Sequence, residues 1–158
     1  MFTDRERLKK DIEIELQNLQ RLVQEMEELI RKLPENPGFI ETRAAGSILH
    51  DFYCGIEKIF ERIAITIDKN LPEGEDWHKQ LQRQMAIPRK GVRSEVITEE
   101  LLSELKEYLS FRHLFRHIYG FNLKWEQFSL LCYSLESLYK KLKLALIDFL
   151  KDYVGKTE

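Results

Sequence analysis

Residues 3–33 read TDRERLKKDIEIELQNLQRLVQEMEELIRKL, and this stretch decides the fold class. Leu8, Ile12, Leu16, Leu19, Val23, Met26, Ile30 and Leu33 recur at three- and four-residue steps, the period of one face of an α-helix. Thr3 and Glu6 have the spacing of a capping box, which marks the helix start. The intervening positions are mostly charged or amide side chains that stay in water. The stretch is one long amphipathic helix, and an amphipathic helix needs other helices to cover its apolar face.

Reading outward, the chain breakers cluster. Pro34 and Pro37-Gly38, Pro72 and Gly74, Pro88 and Gly91, and finally Gly120 divide the rest into helix-length pieces. Residues 39–70 carry Ala45, Ile48, Phe52, Ile56, Ile59, Ile63 and Ile67 on one stripe. Trp77, Leu81 and Met85 predict a short helix. Thr98 caps a fourth helix that opens Glu99-Glu100, favourable at the positive end of its dipole. Its stripe runs Leu101, Leu105, Tyr108, Arg112, Phe115 and Tyr119, and Gly120 reads as the C′ residue that ends it. Residues 123–153 form the last helix, apolar through Phe128, Leu131, Leu135, Leu138, Leu142, Ala145 and Phe149. Long helices on short links pack antiparallel. The expected fold is all-α, an up-and-down four-helix bundle with one additional short helix.

Composition agrees. The 158 residues are 43% hydrophobic and 33% charged, and their length fits one domain spanning 1–158. Seven glycines and four prolines are about half of ordinary usage, which argues against sandwiches, barrels and disordered chains. A net charge of −2 gives no overall positive field for gripping nucleic acid, so any such contact must be local. Cys54 and Cys132 have neither metal-site nor disulfide-framework spacing and read as small hydrophobes. Residues 1–7 lack the apolar core of a signal peptide, and no run approaches a membrane span. The chain is expected in the cytoplasm, with no membrane contact and no cofactor.

The chemistry concentrates at the end of the fourth helix, Phe111-Arg112-His113-Leu114-Phe115-Arg116-His117-Ile118-Tyr119-Gly120. Arg112 lies on an otherwise apolar stripe, where an unpaired guanidinium is costly. It needs a carboxylate, an open cleft or a polyanion. Asp51 on the second helix is one candidate partner. Arg112 and His117 are about 140° apart around one helix, so a site using both needs a helix break or a second copy across a two-fold axis. Residues 86–97 form the longest loop, and their Arg89, Lys90 and Arg93 read either as a solvated crossing or as a basic arm touching phosphates. Gly46 and Gly55 inside the second helix cost about 1 kcal/mol each against alanine, which close approach of a neighbouring helix would explain.

Arg112-x-x-x-x-His117-x-Tyr119 resembles the R-x-x-x-x-H-x-Y motif of the HEPN superfamily, in the form seen in HepT-like ribonuclease toxins. The segment Ile48-Leu49-His50-Asp51-Phe52-Tyr53-Cys54-Gly55-Ile56-Glu57-Lys58-Ile59-Phe60-Glu61-Arg62 is similar to the second helix of those proteins. The resemblance implies a metal-independent endoribonuclease toxin of a type VII-like HEPN/MNT pair, working as a homodimer on an RNA substrate. Histidine titrates near neutrality, so His117 suits a general base or acid for attack of a ribose 2′-OH on the adjacent phosphate. Arg112 suits neutralisation of the phosphoryl oxygens, with His113 in support and Arg116 as a further phosphate contact. The implied partner is a nucleotidyltransferase (MNT) antitoxin, with Tyr119 as the acceptor of AMP.

Two other readings use the same residues. His113 and His117 are four apart and share a helical face, as metal ligands do, but no third ligand is singled out and no metal is expected. Alternatively, the chain is a catalytically inactive helical module that partners a nucleotidyltransferase. His50 and His78 read as polar-face or capping residues.

Overall fold

The computed structural model describes residues 2–155; Met1 and residues 156–158 of the expected 1–158 domain lie outside the described residues. The fold is all-α. Helix α1 spans Asp4–Arg31, α2 Phe39–Ile63, α3 Trp77–Met85, α4 Glu99–His117 and α5 Trp125–Gly155. The capping box at the start of α1 is formed: Thr3 Oγ1 accepts from the Glu6 N–H (3.1 Å) and Glu6 Oε2 from the Thr3 N–H (2.8 Å). The α1 stripe buries Leu8, Ile12, Leu16, Leu19, Val23 and Met26. Each such side chain contributes about 1.5–3 kcal/mol before the chain's entropy is counted.

The four long helices form a closed ring in which α1 and α4 each touch α2 and α5. Contacts fix their directions. Asp11 meets Arg62 and Leu19 meets Gly55, so α1 and α2 run antiparallel. Tyr139 donates to the Leu16 carbonyl while Arg5 reaches the Tyr153 carbonyl, which sets α5 antiparallel to α1. Tyr108 donates to the Leu131 carbonyl, tying α4 to α5. The bundle is therefore up-and-down, with α3 laid across α2 and α4.

Helix α2 is the centre of this arrangement. Its predicted stripe is buried throughout, and so are Leu49, Tyr53, Glu57 and Phe60 on its other sides. The two interior glycines are explained by what they admit. A Cβ at Gly55 would lie 2.7 Å from Leu19 Cδ2, and one at Gly46 would lie 2.9 Å from the Phe115 ring and 2.8 Å from Leu123.

Beyond Ile63 the helix widens into a π turn, Ala64–Asp68, which stops at Lys69 in the left-handed region (φ 55°). The turn aims Asp68 inward. Arg93 meets it with Nε to Oδ1 at 2.6 Å and Nη2 to Oδ2 at 2.9 Å, while Gln84 donates to Oδ2 at 2.7 Å. The remaining guanidinium protons go to the carbonyls of Ile87, Ser94 and Gln84. The 86–97 crossing is thus fastened at its centre. Arg93 is buried, which removes it from the phosphate contacts expected of this loop.

Two further expectations are corrected. Helix α4 ends at His117, with Ile118 extended (φ −124°, ψ 159°), and Gly120 has no positive φ. Gly120 instead opens a single 3-10 turn, Gly120–Asn122. The exposed Arg43 side chain lies against it, with Cζ and Nε 2.8 Å from where a Cβ would stand. The last helix starts at Trp125, leaving Leu123 buried in the link before it. Cys54 and Cys132 are both free; burial pushes the Cys132 thiol up to about 12. No helix among the described residues is long and apolar enough to cross a membrane.

Candidate active site

The last two turns of α4 divide their side chains between two environments. Arg112 turns inward with only 15% of its side chain exposed, and its Nε lies 3.7 Å from Glu57 Oε1. Glu57 is itself buried (side chain 6% exposed), and its second oxygen, Oε2, accepts from His78 Nδ1 at 2.6 Å. Asp51 is not the partner: its side chain is 60% exposed and lies 3.4 Å from its neighbour His50. One carboxylate on α2 therefore holds a guanidinium from α4 on one oxygen and an imidazole from α3 on the other. Tyr53 and Gln82 are buried around the same group. Burial, followed by the Glu57 charge, holds the Tyr53 hydroxyl well above the ordinary phenol range.

His117 faces solvent. Its Nδ1 lies 2.6 Å from the His113 carbonyl oxygen, so Nδ1–H donates there and the neutral ring keeps its lone pair on Nε2. The His113 and His117 rings lie 4.2 Å apart, tilted by 31°. Arg116 donates from Nη1 to His50 Nε2 at 3.3 Å, and His50 packs on Phe115. Among the described residues no hydrogen bond or ion pair joins Arg112 to His117, in keeping with their divergence around the helix. Nor do three or more His, Cys, Asp or Glu side chains there form a group that could hold a metal ion.

Tyr119 lies beyond the helix end, 72% exposed, and is stacked on Phe121. On the far crossing Lys90 is exposed, whereas Arg89 is half-buried with its Nε 3.9 Å from Asp68 Oδ1.

A family model described as HepT-like protein matches residues 44–153. The chain belongs to the HepT-like family. The matched span holds Arg112, His113, His117 and Tyr119, and also Glu57 and His78; the whole of α1 precedes it. The HepT-like family is part of the HEPN superfamily, whose members are generally ribonucleases, and its setting is toxin-related. No curated protein and no solved structure matches the chain.

Sequence reasoning passed over Glu57 and His78, which the fold gathers with Arg112, and Arg43, which packs against Gly120. A signal for Glu57 existed: it falls four residues after Tyr53 and three before Phe60, so a carboxylate shares a helical face with two large aromatics. Such a group needs a basic partner, and Arg112 is the charge misplaced on the facing stripe. His78 carried no comparable signal, since its role depends on how α3 lies across α2.

Proposed function

We propose that the chain is a metal-independent endoribonuclease toxin, with Arg112 and His117 as its catalytic pair and an MNT nucleotidyltransferase as its neutralising partner. The observation that carries the reading is the orientation of His117. Its Nδ1 is engaged by the His113 carbonyl, which leaves Nε2 free toward solvent as a base. In the reaction, Nε2 takes the proton of a ribose 2′-OH, whose oxygen attacks the adjacent phosphorus while the 5′-oxygen leaves with a proton from water, and the imidazolium then returns its proton to solvent. The products are a 2′,3′-cyclic phosphate and a 5′-hydroxyl end. The Arg112 guanidinium neutralises charge on the phosphoryl oxygens, and Glu57 fixes its direction.

Because Arg112 and His117 diverge on one helix, the working cleft is assigned to a homodimer in which two α4 ends face each other across a two-fold axis. His113 orients His117 through its carbonyl. Arg116, Arg89 and Lys90 are left as candidate phosphate contacts. Transfer of AMP from ATP to the Tyr119 hydroxyl, with pyrophosphate leaving, would add negative charge at the mouth of this cleft.

The test is incubation of the purified protein with RNA in EDTA, alongside Arg112→Ala and His117→Ala. Cleavage by the parent, and by neither variant although both still melt cooperatively, supports the assignment. Cleavage only after a divalent ion is added would move His113 and His117 to a metal role. No cleavage under either condition would favour a non-catalytic partner of the nucleotidyltransferase.

A further inference from the structure

Folding buries aromatic rings where it can, yet Tyr119 and Phe121 are 72% and 68% exposed at the end of α4. Their rings lie 5.1 Å apart and within 9° of parallel, so they form a flat pair. The pair is held in place. The Asn122 N–H donates to the Tyr119 carbonyl at 2.9 Å, closing the turn, and the Arg43 guanidinium packs against Gly120. A hollow of about 350 Å³ lies against the turn, lined by Arg43, Ser47, Phe115, Ile118, Gly120 and Leu123.

The segment that bears this pair is basic. Residues 108–125 contain no Asp or Glu but carry Arg112, which turns inward to Glu57, and the exposed Arg116 and Lys124, in a chain whose net charge is −2. Arg43 adds a guanidinium from α2. Flat exposed aromatic rings beside cations, with no carboxylate on the segment that bears them, suit a planar ligand attached to phosphate.

We infer that Tyr119 and Phe121 form a stacking platform for an unpaired nucleobase of the RNA, with Arg43 meeting the neighbouring phosphate. Paired bases keep their faces covered by the bases above and below, so only a splayed base can use such a surface. The substrate class is therefore single-stranded RNA or a loop. The inference rests on the ribonuclease reading of the adjacent Arg112 and His117, and it names what that site accepts.

Binding tests it separately from cleavage. The His117→Ala protein, made so that RNA stays intact, is titrated with a fluorescent unpaired 12-nucleotide RNA and with the same strand annealed to its complement. Adding Phe121→Ala should weaken the unpaired RNA about tenfold, the size of one lost base–aromatic stack, and leave the duplex unchanged. Phe121→Trp should retain binding, and Arg43→Gln should lower the salt dependence by about 0.7 in log–log slope.

Unpaired affinity within twofold of the parent in Phe121→Ala, an equal loss on duplex, or no RNA binding by His117→Ala would each overturn the platform. So would a Phe121→Ala protein that changes sedimentation while its RNA affinity does not, since the rings would then cover protein. A wild-type chain that binds with the expected ranking but cuts nothing would refute the ribonuclease reading and leave the platform supported.

Discussion

Replacing Arg93 with methionine should destabilise the fold without weakening RNA binding. The side chains of Arg93 and Asp68 are 1% and 0% exposed, and they meet through two parallel contacts of 2.6 and 2.9 Å. Three backbone carbonyls depend on the same guanidinium. The variant leaves the buried Asp68 carboxylate with Gln84 as a hydrogen-bond donor and the half-buried Arg89 3.9 Å away. Removing one member of such a pair costs about 3–5 kcal/mol, and for a domain of this size each kcal/mol lowers Tm by about 2–4 °C. A drop of about 10 °C is therefore expected. The assay is urea unfolding followed by circular dichroism, with Asp68→Asn and the double variant completing a cycle. The double variant should lose less than the sum of the singles, because the second change removes the stranded charge. A loss below about 1 kcal/mol in Arg93→Met, or additive losses, would refute the clasp. A fall in RNA affinity at unchanged stability would return Arg93 to the phosphate contacts.

Sedimentation at micromolar concentration should give a dimer, and a monomer with full cleavage activity would sink the two-fold arrangement. Tyr119→Phe should keep cleavage but escape neutralisation when co-expressed with the nucleotidyltransferase, and an adenylate mass that persists in that variant would place the acceptor elsewhere. Stability should hold below about pH 9 and fall as pH rises toward 12: burial raises the Cys132 thiol to about 12 from 9.0, so the unfolded chain loses its proton first. The Tyr108 and Tyr53 hydroxyls are raised in the same direction, again by burial first. Cys132→Ala should flatten the early part of that decline in alkaline melts.

What the chain made legible was whatever depends on period. The steps of α1, the capping spacings of Thr3 and Thr98 and the short helix from Trp77 to Met85 are local properties, and they form as read. The divergence of Arg112 and His117 is also helix arithmetic, and the two side chains do part, one inward and one to solvent. Pairings across helices were not legible. Asp51 and Glu57 are both carboxylates on α2, and only the crossing with α4 decides which one meets Arg112. Arg93 looked like its neighbours Arg89 and Lys90 because nothing local announces a π turn that aims Asp68 into the bundle. Gly120 misled for a related reason: glycine suggests a left-handed cap, whereas here the helix has already ended at His117 and Ile118 is extended.

Glu57 has two oxygens and serves one basic group on each. It is shared between His78 on α3 and Arg112 on α4, 34 residues apart along the chain, so the seating of α3 and the aim of Arg112 depend on one carboxylate. Oε2 is committed to His78 at 2.6 Å, so Arg112 meets the carboxylate through Oε1 alone, at 3.7 Å, and not as a forked pair. The nine-residue α3 thus gives the core Leu81 and Met85, with Trp77 packed against it, and also supplies the second basic partner of a carboxylate on another helix.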